Sequence, residues 1–88
     1  MLQYRIYTER KKLRWMCEMI SDYFGGFTMY KTLGYWDAKA ERSVCIEIIT
    51  DKSLAEFYLN QIRLKIMGVN QQESVLITKS EVEVIWTI

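Results

Sequence analysis

The chain has no histidine. That removes the usual general base near neutral pH, the imidazole metal ligands and every Ser-His or Cys-His mechanism. Proline is absent too, so the four glycines, Gly25, Gly26, Gly34 and Gly68, are the strongest punctuation. Only two cysteines are present, too few for a zinc site and without a Cys-x-x-Cys spacing. Cys17 and Cys45 therefore read as reduced core thiols of a cytoplasmic protein. No apolar run approaches the length of a membrane span, and Gln3 to Tyr7 alternate where a signal peptide would be continuously apolar. Neither sign of charge predominates: twelve Lys and Arg meet eleven Asp and Glu, a net +1. This excludes a globally basic nucleic-acid coat and an acidic disordered chain.

What is present is an ordinary globular composition, 50% hydrophobic and 26% charged. Eighty-eight residues make one domain, 1–88, with a small core. Residues 2–8 read as a strand, with Leu2, Tyr4 and Ile6 on one face and Gln3, Arg5 and Tyr7 on the other. Thr8 is the expected N-cap of a helix over 9–24, striped by Leu13, Met16, Cys17, Ile20 and Phe24. Gly25 and Gly26 are expected to stop it. Residues 27–36 read as extended, and Asp37 to Glu41 as a hairpin connection.

Arg42 to Thr50 is the strongest strand, with Val44, Ile46 and Ile48 on one face. Ser53 and Glu56 have capping-box spacing, so a second helix is expected from near Leu54 to Gly68. Its best core face is Ala55, Tyr58, Leu59, Ile62 and Ile66. Val75 to Ile88 closes as strand, with Lys79-Ser80 as a candidate interruption that would split off a fifth strand. The order predicts an α+β, ferredoxin-like βαββαβ fold: an antiparallel sheet with two helices on one face. A different α+β arrangement of the same elements is the runner-up.

Several apolar residues are left over once this core is filled. Trp15 falls roughly opposite the stripe of the first helix, and Phe57 and Leu64 fall on the far side of the second. The strands carry aromatic or aliphatic residues on both faces, including Tyr7 and Trp36. Either these are scattered surface hydrophobics, or they form a contact surface for a second copy or a foreign protein. Trp15, Phe57, Leu64, Tyr7 and Trp36 are the expected contact residues. A base-stacking platform is the weaker option, because Cys45, Glu47 and Ile49 would stand beside Tyr4 and Tyr7.

Arg10, Lys11, Lys12 and Arg14 form a basic cluster at the expected helix start, where the macrodipole disfavours cations. A solvated charge run and an anion or phosphate site are the two readings. Neither Thr8-Glu9 nor any glycine-rich loop makes a nucleotide motif there. Glu81 and Glu83, with Glu47 on a neighbouring strand, are the only carboxylate grouping that suggests catalysis, and no third group orients a substrate. No catalytic residue, metal or cofactor is expected.

Short elements here resemble known families. Gly34-Tyr35-Trp36, Glu41, Ser43-Val44, Ile46 to Thr50 and Gln72-Glu73-Ser74-Val75-Leu76 resemble an uncharacterised family of small bacterial ferredoxin-like proteins. The same region is similar, more faintly, to the trimeric CutA and PII-like proteins. That resemblance implies the fold and a homotrimer. It implies no copper site, since no histidine is present to ligate the metal. The Gln72-Glu73-Ser74 segment reads as a polar loop or, with Trp36, as one wall of a ligand pocket.

The functional expectation is a small non-enzymatic protein-binding module that self-associates as a dimer or trimer. Its size suits a phage or mobile-element inhibitor of a host protein. The alternative is an anion-dependent binder of nucleotide or nucleic acid, using Arg10, Lys11, Lys12 and Arg14.

Overall fold

The computed structural model describes residues 1–88. It places β1 (Leu2–Glu9), α1 (Leu13–Ser21), β2 (Thr28–Trp36), β3 (Lys39–Thr50), α2 (Ala55–Asn70) and β4 (Leu76–Glu81) in that order. The four strands form one sheet in the order β2-β3-β1-β4, each antiparallel to its neighbour. This is the expected α+β, ferredoxin-like arrangement.

Strand alternation sets the faces. Tyr4 and Ile6 of β1 stand opposite Ile48 and Ile46 of β3, and all four are buried. Met16, Met19 and Ile20 of α1 and Leu59, Ile62 and Ile66 of α2 complete the same core, so both helices cover one face. The other face carries Arg5, Tyr7, Tyr30, Cys45 and Glu47. Cys45 is fully buried there, between its strand neighbours Tyr7 and Tyr30. The Tyr30 phenol is pushed up to about 12, by the neighbouring Cys45 thiol before desolvation, and its Oη donates to Glu47 Oε2 at 3.4 Å.

The helix limits differ from the sequence expectation for local reasons. Thr8 is no cap: β1 runs on to Glu9, and Thr8 is buried on the core face. Arg10 N–H then donates to Arg42 O, and Lys11 N–H to Glu9 O, so helix formation waits until after Lys12, at φ 50. The buried line of α1 is Met16, Met19 and Ile20, rotated by roughly 50° from the expected stripe toward Met19. The rotation brings Trp15 half-buried against the core, not free on the outer side.

Gly25 and Gly26 have no positive φ. The helix ends earlier, at Ser21, through tight bonds from Asp22 N–H to Met19 O and Tyr23 N–H to Ile20 O, and Phe24 turns back into the core. The Ser53–Glu56 capping box does not form. The Glu56 carboxylate instead accepts from Tyr4 Oη (3.1 Å) and Lys79 Nζ (2.9 Å). At the other end α2 passes through Gly68 and closes at left-handed Gln71.

The hairpin turn is shorter than expected. Asp37 and Ala38 alone make it, both with positive φ, a conformation that matches the strand twist. No fifth strand exists. Lys79 and Ser80 pair with Tyr4 and Gln3 without interruption, and β4 ends at Glu81. Val82 N–H donates to Met1 O as the final rung, and no strand lies beside residues 83–88.

Candidate functional site

β1 ends its pairing at Glu9 with Ser43, but β2 and β3 continue past it. The pairs from Leu33–Arg42 to Trp36–Lys39 form a two-stranded ribbon with no third strand beside it. Leu33, Tyr35 and Trp36 are 61%, 71% and 79% exposed on this ribbon. Arg10 clamps its base. Its Nη2 donates to Thr32 O (2.9 Å) and its Nε to Ser43 O (3.2 Å).

The ribbon forms one wall of a cleft of about 550 Å³. Gly34, Tyr35, Trp36 and Glu41 line that wall, and residues 71–74 line the opposite one. Tyr7, Glu9 and Leu76 lie between them. The fold thus brings Trp36 and the Gln72-Glu73-Ser74 loop together around a cavity. Gln72 holds the loop in place. Its Oε1 accepts from Thr8 Oγ1 and Asn70 Nδ2, each at 3.1 Å, and its Nε2 donates to Ser74 O (2.9 Å). Three carboxylates, Glu9, Glu41 and Glu73, line the cleft, and no Lys or Arg does. Glu9 Oε2 is buried 3.1 Å from Lys11 Nζ, an ion pair without hydrogen-bond alignment. This lining offers an anion little.

The four basic residues expected to bind anions each have a partner within the chain. Arg10 serves the ribbon carbonyls, Lys11 pairs with Glu9, and Lys12 Nζ donates to Val69 O (3.0 Å). Arg14 Nε pairs with Glu18 at 3.3 Å on the exposed surface. The five expected contact residues do not share one surface. Phe57 and Leu64 are exposed on α2, while Trp15 is half-buried on α1. Tyr7 and Trp36 meet at the cleft. The sequence reading missed Leu33 and Tyr35 as exposed ribbon residues. The signal was in the strand lengths, since a hairpin reaching residue 36 outruns a first strand ending near residue 8.

Of the carboxylates considered for catalysis, Glu47 is separated from Glu81. Glu47 lies on the open face and bonds Arg5 Nε (3.1 Å), whereas Glu81 pairs opposite Leu2 on the helix-facing side. A second, smaller cavity of about 270 Å³ contains Tyr4, Glu56 and Lys79. Lys79, and then Tyr4, hold the Glu56 carboxyl below its ordinary pKa. Desolvation, and then the bond to Glu56, push the Tyr4 phenol up. This triad joins α2 to β1 and β4. No helix is long and apolar enough to cross a membrane.

No protein-family model matches the chain, and no curated protein does. Its fold is shared with solved structures. A crystal structure of a DUF3240 family protein from Shewanella baltica, an uncharacterised family, superposes with TM-score 0.72. The two are 10% identical over 99% of this chain and 96% of that one. The de novo designed protein Foldit4 superposes with TM-score 0.54, at 15% identity, over 93% of this chain and 96% of the design. What is similar across these chains is the α+β fold.

Proposed function

We propose that this chain is a non-enzymatic binding module that acts as a homo-oligomer, with the β2–β3 ribbon as its main contact. The observation that carries this reading is the ribbon itself, an unpaired edge strand with Leu33, Tyr35 and Trp36 in solvent. A small isolated hairpin is marginal in water, and large apolar side chains gathered on an open edge favour a protein partner. The edge has one lysine, no proline and no bulge to discourage pairing. The resemblance of residues 34–50 and 72–76 to CutA and PII-like trimers supports an assembly of a few copies. The anion-binding alternative has less support, because Arg10, Lys11, Lys12 and Arg14 are already partnered.

Native mass spectrometry of the purified chain at low salt tests the reading. A dimer or trimer without added mass is the expected result. A monomer at all concentrations would move the ribbon to a foreign partner and overturn self-association.

A further inference from the structure

The segment after β4 poses a problem that one copy of the chain does not solve. Val82, Val84, Trp86 and Ile88 alternate with Glu83, Ile85 and Thr87. These residues favour a strand, with neither glycine nor proline among them. Yet the segment is unpaired beyond Val82, and Ile85 and Trp86 are 82% and 85% exposed. A strand-favouring sequence of this kind is stabilised by a ladder, and the neighbouring strand has run out.

The other edge of the sheet has the converse problem. A two-residue turn makes Trp36 and Lys39 a hydrogen-bonded pair, so alternate β2 residues point their backbone groups away from β3. Those residues are Met29, Lys31, Leu33 and Tyr35, and no strand lies on their outer side. β2 has nine residues, roughly 30 Å at about 3.3 Å each, enough to seat a segment of seven.

We infer that residues Val82–Ile88 of one copy add as a strand to the free β2 edge of a second copy. This rests on the self-association proposed above and names the segment that makes it. Three observations select this pairing. In the order β2-β3-β1-β4 the segment and the free β2 edge lie at opposite sides of the sheet, so a chain does not reach its own edge. The charges are complementary: Lys31 is the only charged residue of β2, and Glu83 the only one of the segment. The competing edge, the outer side of β4, is shorter and mostly polar, with Thr78, Lys79, Ser80 and Glu81. Joining opposite edges is a head-to-tail contact, which closes as a ring or a reciprocal pair where the geometry permits and runs on as an open filament where it does not.

The test compares the full chain with one lacking residues 83–88, by native mass spectrometry and amide hydrogen exchange. The full chain is expected to be oligomeric, with Met29, Lys31, Leu33 and Tyr35 protected. The shortened chain is expected to be a folded monomer that loses that protection and regains it with a synthetic peptide of residues 82–88. An oligomeric shortened chain with unchanged β2 exchange would overturn the inference and leave self-association standing. A monomeric full chain would overturn both. If the shortened chain does not fold, Leu33→Pro decides, because it removes an outward N–H and no rung to β3. A folded Leu33→Pro monomer supports the inference, and an oligomer contradicts it.

Discussion

β3 is one strand with two environments. Over Val44 to Glu47 it lies between β1 and β2 with both helices beneath, and Val44, Ile46 and Ile48 are buried. Over Lys39 to Arg42 it has β2 alone beside it, and Lys39, Ala40 and Arg42 are exposed. Hydrogen bonding to β2 is continuous through both halves. The difference is therefore one of layers, and it separates the part of the molecule that holds the fold from the part that stands outside the core.

The largest break in that comparison is Ile46→Ala. Ile46 is fully buried under both helices, so its truncation should destabilise the monomer by about 2–5 kcal/mol. Denaturant unfolding reads the loss. Gln72→Ala comes next. It strips partners from the buried Thr8 hydroxyl and the Asn70 amide where the two environments meet, a cost of about 1–3 kcal/mol. Thermal melts should show a smaller fall than for Ile46→Ala.

Tyr35→Ser with Trp36→Ala should change monomer stability by only about 0.5 kcal/mol each, as surface substitutions do. The pair should nonetheless weaken association, read as a shift toward monomer mass. An unfolded double variant would mean that the ribbon is structural. The smallest effect is electrostatic. Lys79 and Tyr4 lower the folded pKa of Glu56, so the stability this carboxylate contributes is present above its ordinary unfolded value. It fades as pH falls through the depressed folded value. Glu56→Gln should therefore flatten the acid limb of a stability–pH curve while leaving its neutral-to-alkaline side the same shape.

The packed half was legible because it repeats. The alternation of Tyr4 and Ile6, of Val44, Ile46 and Ile48, and the 3.6-residue spacing of Leu59, Ile62 and Ile66 each identify a buried face. Element ends were less legible, since they depend on groups distant in the chain. Glu56 leaves its cap for Tyr4 and Lys79, and Arg42 O takes the Arg10 N–H that would have opened a helix. Trp15 was misplaced because Met19 draws the helix round by about half a residue step. The cleft was legible only as a pair of segments, Trp36 and residues 72–74. The Ile85-Trp86 region reads as strand, which its composition favours, but no strand of the sheet lies beside it.

Hydrogen exchange of the full chain across a dilution series addresses the central claim most directly. The amides of Met29, Lys31, Leu33 and Tyr35 should be protected at high concentration and lose protection on dilution, while Ile46 and Ile48 stay protected throughout. Rapid exchange at the four β2 positions at every concentration would contradict it.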